Sequence, residues 1–312
     1  MEMAMTRLSA LNHLFVSVFL HNFSTFMVTP AITDVTMSAL CPGQDECSFA
    51  IYLSGFQQAV VGVGSLLVMP MIGNLSDKYG RKAFLTIPMS FAVIPLGILA
   101  YSRSRNYYYA YYALKTLTAF FCEGTVHCLS LAYVADNIPV GLRASAFGVL
   151  SGIVSASFVC GTLSTRFLST PVTFQVATAM GTAALVYMRV FLPESAVDKS
   201  LLAPIISKGE MVDPQENNGI VNSANRQQVF KNVSSLDNTI FFLKSSRVFL
   251  QASIMAFFGN LADVGLHASM LYFLKAQFHF DKDQFADLMV IAGIGGTISQ
   301  ARPDTPYFFP IL

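Results

Sequence analysis

Long apolar blocks alternate with short polar connections along most of the chain. The blocks run from about Leu11 to Ala31, Phe49 to Gly73, Ala83 to Tyr101, Tyr107 to Ala135, Ala144 to Leu168 and Val172 to Leu192. Each holds the roughly 20 apolar residues that a helix needs to cross the hydrocarbon of a bilayer. Lipid offers no water to the peptide groups, so such blocks predict helices, which satisfy their own backbone. The first block is too long for a signal-peptide core, and no small-residue cleavage site follows it. From Pro193 the pattern changes to Asn, Gln, Ser, Lys and Glu, with Asp213-Pro214 and Asn217-Asn218-Gly219 as turn signals. Two more apolar blocks follow, about Val248 to Leu274 and Phe285 to Ser299, and Ala301-Arg302-Pro303-Asp304-Thr305-Pro306 then breaks any helix. The pattern predicts an all-α membrane protein of about eight spans. It has three parts: a six-helix bundle over 1–192, a polar linker over 193–247 and a partial second bundle over 248–312.

Composition sharpens this reading. Hydrophobic residues make up 54% and charged residues 12%, against about 25% charged in soluble domains. An ordinary soluble enzyme is excluded, and the 27 Phe exclude disorder over most of the chain. A net charge of +1 gives no electrostatic footprint for nucleic acid. There is no Trp, so the Tyr107, Tyr108, Tyr109, Tyr111 and Tyr112 cluster is the expected interfacial anchor. Lys78, Arg81 and Lys82, then Arg143, then the linker bases fall in connections separated by even numbers of spans. The positive-inside rule puts these and the N-terminus in the cytoplasm. The opposite loop, Asp34 to Ser48, holds Asp45 and Glu46 but no Lys or Arg.

Cys41 and Cys47 lie in that outer loop, where they could close a disulfide; spacing alone leaves the pairing open. Cys122, Cys128 and Cys160 read as packing residues. No His stands near the outer pair, so no metal is expected. No phosphate loop is present, which argues against ATP, and no nucleophile with its base argues for an enzyme. The expected partners are a small-molecule solute and the lipid bilayer, without cofactor; the oligomeric state is open.

Ionisable groups at bilayer depth are costly and mark function by default. Span one has His21, span four Lys115, Glu123 and His127, and span seven Asn260, Asp263 and His267. Glu123 and His127 are four apart, which on a continuous helix places them on one face. Asn260, Asp263 and His267 fall at i, i+3 and i+7, again one face. A carboxylate beside His can exchange a proton near neutral pH. Lys115 reads either as a cavity group or as a structural partner of Glu123. His21 reads either as a substrate ligand or as a donor to a backbone carbonyl. Asp34 and Asp136, at span ends, read as structural. Gly62, Gly64, Gly148, Gly152 and Gly161 read as sites of close helix packing.

The sharpest motif joins spans two and three: Gly73-Asn74-Leu75-Ser76-Asp77-Lys78-Tyr79-Gly80-Arg81-Lys82. Gly73 suits close helix approach, Gly80 suits a bend, and Asp77 among Lys78, Arg81 and Lys82 suits an ion-pair latch. The turn resembles the Gly-x-x-x-Asp-(Arg/Lys)-x-Gly-Arg-(Arg/Lys) signature of the major facilitator superfamily, matching at all six defining positions. Pro193-Glu194-Ser195 after span six is similar to a Pro-Glu-(Thr/Ser) often found there. Val134-Ala135-Asp136, with Arg143 and Gly148 beyond, resembles the tetracycline-resistance type of exporter. Within that type the chain looks most like the eukaryotic hippocampus-abundant-transcript-like members, with a plant source expected.

The resemblance implies two six-helix halves, a cavity lined by helices one, four, seven and ten, and transport by alternating access. It then assigns His21, Lys115, Glu123, His127, Asn260, Asp263 and His267 to that cavity, and Gly73, Asp77, Lys78, Gly80, Arg81 and Lys82 to a cytoplasmic gate. Two departures qualify it. The Gly-Pro pair of proton antiporters is missing from Gly152 to Gly161, and eight spans stand where twelve are expected, which suggests a truncated product. The leading expectation is therefore a secondary transporter of a small solute, with proton coupling a further step. The alternative is a truncated, non-transporting membrane protein or interaction paralogue.

Overall fold

A computed structural model describes residues 2–43, 47–194 and 247–300. The linker therefore lies almost wholly outside the described residues, as do the side chains of Lys78, Asp263 and His267. The described chain is helical. In order it forms α1 (Glu2–Leu40), α2 (Ser48–Tyr79), α3 (Arg81–Tyr101), α4 (Arg105–Cys122) and α5 (Thr125–Asn137). A single 3-10 turn, Val140–Leu142, leads into α6 (Arg143–Phe167) and α7 (Thr170–Phe191). Beyond the linker come α8 (Arg247–Phe278) and α9 (Lys282–Gln300).

Among the described residues six segments are long and apolar enough to cross a membrane: Leu11–Leu40, Ser48–Asp77, Arg81–Tyr101, Arg105–Asn137, Arg143–Phe167 and Thr170–Phe191. The last two expected spans are also helical, and in α8 the stretch Leu250–Ala262 is apolar. Pro30, Pro70, Pro88 and Pro95 sit inside helices without ending them, as membrane helices allow when neighbours satisfy the freed carbonyls.

One expectation is corrected. Span four is two helices, because α4 stops at Cys122 and α5 starts at Thr125. Glu123 is extended (φ −64°, ψ 133°) and Gly124 is left-handed (φ 71°, ψ −13°). A left-handed residue costs roughly 1–2 kcal/mol with a side chain and little in glycine, so Gly124 makes the break cheap. Hydropathy is blind to it, since the break leaves the apolar count unchanged.

Helix α1 is the centre of the bundle. Towards the end carrying the α2–α3 turn, Leu14 and Val18 pack with Leu85, Met89, Leu129, Tyr133, Leu150 and Met188. Towards the other end, Met27, Val28 and Ala31 pack with Leu99, Tyr108, Phe174 and Ala177. Lipid supplies no hydrophobic drive between helices, so close approach and polar bonds matter more. The Thr165 hydroxyl donates to the Met27 carbonyl (2.6 Å) and the Ser24 hydroxyl to the Ala177 carbonyl (2.7 Å), tying α1 to α6 and α7. Of the glycines read as packing sites, Gly161 abuts the α1 backbone and Gly64 the Phe120 carbonyl. Gly62, Gly148 and Gly152 have open space where a Cβ would stand, as does Gly73, so close packing does not require glycine there.

The α8–α9 pair is fastened to the bundle at the end bearing the α1–α2 loop. There Lys275 pairs with Asp34 and Arg166 with Asp287. Ser54 and Tyr272 share a hydrogen bond of 2.6 Å, and Lys282 donates to the Leu168 carbonyl. Phe285 and Met289 bury against Phe158 of α6. Cys41 and Cys47 are joined by a disulfide, and the two cysteines pack with Met37, Ala50 and Tyr272.

Candidate functional site

Two polar clusters stand out in the bundle. The first is the α2–α3 turn. Gly80 has φ 103°, ψ 140°, a conformation that side chains rarely adopt, and a Cβ there would lie 2.5 Å from a Glu194 oxygen. The sharp turn brings Arg81 back over the end of α2. Its guanidinium pairs with Asp77, donates from Nε to Asp136 Oδ2 at 2.9 Å and from Nη1 to Ser76 Oγ at 2.5 Å. One side chain, only 12% exposed, thus joins the end of α2 to the end of α5. Glu194 accepts from the Lys82 backbone N–H at 3.0 Å, and the Tyr133 hydroxyl donates to the Pro193 carbonyl at 3.0 Å. The chain leaving α7 is thereby clamped to the same turn.

The second cluster surrounds the α4–α5 break. Lys115 Nζ lies 3.6 Å from Glu123 Oε2, with the side chains 35% and 53% exposed. His21, half-buried on α1, is near enough for the charges of both to act on its ring. The structure therefore brings His21, Lys115 and Glu123 together. It does not put His127 on one helical face with Glu123: the break intervenes, so the i, i+4 relation fails, and His127 is exposed in the first turn of α5. Asn260 is exposed on α8 and turns its amide back to the Ala256 carbonyl at 2.8 Å.

Sequence reasoning missed several contacts. Asp136 and Glu194 complete the turn cluster; the sequence marked both within family-like motifs, but not that they meet this turn. The Asp34–Lys275 and Arg166–Asp287 pairs join residues far apart in sequence. His13 is another: its Nδ1 bonds the Tyr187 hydroxyl at 2.9 Å and its ring stacks on Phe191. A glycine directly after a glutamate in the middle of an apolar block was the available signal for the break.

A cavity of about 490 Å³ opens between α2, α3 and α4, lined by Val68, Ile87, Phe91, Leu117, Phe121 and Cys122 among others. It is apolar, and none of the predicted site residues lines it. Among the described residues no group of His, Cys, Asp and Glu could hold a metal ion.

A family model described as Major Facilitator Superfamily matches residues 14–304. The chain belongs to the major facilitator superfamily. It is 25% identical to the Hippocampus abundant transcript 1 protein of mouse and of human over 296 residues, covering 92% of this chain and 53% of those proteins. It is 25% identical to the human Hippocampus abundant transcript-like protein 1 over 252 residues, covering 80% of this chain and 44% of that one. The chain thus spans about half the length of the curated relatives it matches. The crystal structure of the human organic anion transporter MFSD10 (TETRAN) superposes with a TM-score of 0.58 at 17% identity, covering 95% of this chain and 72% of that one. That likeness is one of fold. A multi-pass membrane protein of a transporter superfamily is what the apolar helices and the family match establish together.

Proposed function

We propose that the chain acts in secondary transport of a small solute, by alternating access between the α1–α7 bundle and the part that begins with α8. The end bearing the α2–α3 turn, together with the N-terminus and the 193–247 linker, is cytoplasmic, and the disulfide-bearing loop is outside. The observation that carries this reading is the uneven fastening of α8. At the outer end Asp34–Lys275, Arg166–Asp287 and Ser54–Tyr272 hold the two parts together. Val248, Met255, Phe257 and Phe258 towards the inner end of α8 are each more than 60% exposed, as is Leu266 further along, so the unevenness lies in the fastenings and not in exposure. Fastening gathered at the outer end is what a rocking carrier needs when its cavity opens inward. The Arg81 network then acts as the inner gate's rigid corner. His21, Lys115 and Glu123 are the groups at depth able to meet solute and proton.

Accessibility tests this without knowing the solute. Cys122, Cys128 and Cys160 are replaced by Ala, and Met255→Cys is introduced in sealed vesicles. A membrane-impermeant maleimide should label Met255→Cys from the linker side, and Asp34→Asn with Lys275→Gln should lower that labelling by releasing the outer contacts. Labelling from the opposite side would reverse the orientation. Labelling indifferent to the outer pair and to a pH gradient would favour a static, non-transporting membrane protein.

A further inference from the structure

We propose that Glu123 is an internal occupant of an anion site. The solute is an organic anion whose acid group replaces Glu123 on the Lys115 ammonium, and the displaced Glu123 takes up the proton that accompanies it. This rests on the transport reading above and names its substrate class.

Isolation is the first support. Between Ser48 and Ser76, Ala83 and Tyr101, Ala144 and Thr165, and Thr170 and Met188 there is no Asp, Glu, Lys, Arg or His. Lys115 and Glu123 are therefore alone as charged partners well inside the first six spans. A pair left in hydrocarbon would cost several kcal/mol, so its exposed faces must border water or solute.

The second support is how loosely the pair is made. An ammonium offers three donors, and Lys115 spends one long contact of 3.6 Å on Glu123. The contrast is Arg81, which reaches Asp77, Asp136 and Ser76 together. Lys115 keeps donors for a second acid group.

Third, Glu123 sits where two half-helices meet, at the C-cap of α4 and just before the N-terminus of α5. Cys128 is the first residue of α5 whose N–H bonds within the turn, to the Gly124 carbonyl at 3.0 Å. The N–H groups of Thr125, Val126 and His127 precede it, at the positive end of the half-helix. The Thr125 hydroxyl is buried there with no hydrogen-bond partner. Broken membrane helices meet anionic groups with such N-termini.

Charge balance supplies the coupling. With Glu123 ionised the pair is neutral. An anion on Lys115 would leave one excess negative charge at depth, and one proton on the Glu123 carboxylate removes it. Anion and proton therefore raise each other's affinity by linkage. The other groups facing Glu123 are Lys115, Tyr111 and Cys122 of α4 and His21 of α1. The charged residues of α2, α3, α6 and α7 (Asp77, Lys78, Arg81, Lys82, Arg143, Arg166 and Arg189) all stand near helix ends, so none of these helices brings a competing Asp, Glu, Lys, Arg or His from its middle.

The test uses the purified full chain in detergent with three probes of like size: benzoate, benzyltrimethylammonium and benzamide. Calorimetry in two buffers of different ionisation enthalpy reads binding and proton uptake together. Benzoate should bind with uptake of about one proton, by the linkage above. Glu123→Gln should bind benzoate about tenfold more tightly, because the internal competitor is gone, and without proton uptake. Lys115→Ala should lose benzoate binding at unchanged helix content, Lys115→Arg should keep it, and His21→Asn should leave proton uptake in place. Preference for the cation or the amide would overturn the proposal. So would benzoate binding by Lys115→Ala, proton uptake by Glu123→Gln, or no benzoate binding by either the wild type or Glu123→Gln. If Met255→Cys labelling still alternates in that event, only this inference fails; if labelling is static, the transport reading falls as well.

Discussion

The two polar clusters of the bundle use the same chemistry to opposite ends. At the α2–α3 turn, Arg81 is nearly covered and bonds three groups drawn from the ends of α2 and α5, while Glu194 locks the neighbouring backbone. At the α4–α5 break, Lys115 and Glu123 meet once, at 3.6 Å, and remain partly open. A bidentate, planar guanidinium suits a fixed corner; a single flexible ammonium suits a partner that can be exchanged. The comparison teaches that the count and geometry of bonds, more than the presence of charge, separate a brace from an exchangeable pair, the role proposed here for Lys115 and Glu123.

Both clusters also depend on one glycine each, and the largest predicted effect tests that dependence. Gly80→Val should abolish most folded protein, since its conformation excludes a side chain and its Cβ would meet Glu194. Gly124→Asn should be folded, because the left-handed region tolerates asparagine and the atom its Cβ would meet is the terminal methyl of the flexible Met69 side chain, which can move aside. Yield after size exclusion and thermal midpoint in detergent distinguish them, and equal losses would erase the distinction between brace and site. Next in size is Arg81→Ala, which leaves Asp77 and Asp136 facing one another. Its cost should be about 1–3 kcal/mol, read as a lowered thermal midpoint. Asp136→Asn should recover part of that loss in the double variant.

Smaller still is the coupling energy of the mid-depth pair. A double-mutant cycle over Lys115→Met and Glu123→Gln should give about 0–1 kcal/mol for stability, given the exposure of both groups. A value matching that of the Arg81–Asp136 cycle would show that Lys115–Glu123 is a second brace. The smallest effect belongs to Thr125→Val. Its hydroxyl is buried without a partner, so removing it should leave stability within about 0.5 kcal/mol of wild type or raise it, read from the thermal midpoint. A clear loss of stability would mean that the hydroxyl bonds within the protein and is not held for a ligand.

Much of the fold could be read before any coordinates. Six apolar blocks became six helical segments, and the turn motif lies where two of them meet. The family followed from the same residues, since Asp77, Gly80 and Arg81 occur at fixed spacing in one contiguous stretch. The cluster around His21, Lys115 and Glu123 was only partly legible. That these side chains are costly at depth can be read from hydropathy; that they meet cannot, because His21 lies on another helix. The supposed shared face of Glu123 and His127 failed for a local reason, a left-handed glycine that a periodicity count treats as neutral. Asp263 and His267 stay as expectations from spacing, since their side chains lie outside the described residues.

By itself, the sequence determined that the first half contains six membrane-crossing segments, about where each lies and which family they belong to. These follow from the bilayer's thickness and from short-range motifs, and both are properties of consecutive residues. Tertiary structure alone decided that Asp34 meets Lys275, that Arg166 meets Asp287, that Arg81 reaches Asp136, and that span four breaks beside Glu123. Those facts depend on how helices turn and lean against one another, and the energy that sets this is shared among side chains far apart in the chain.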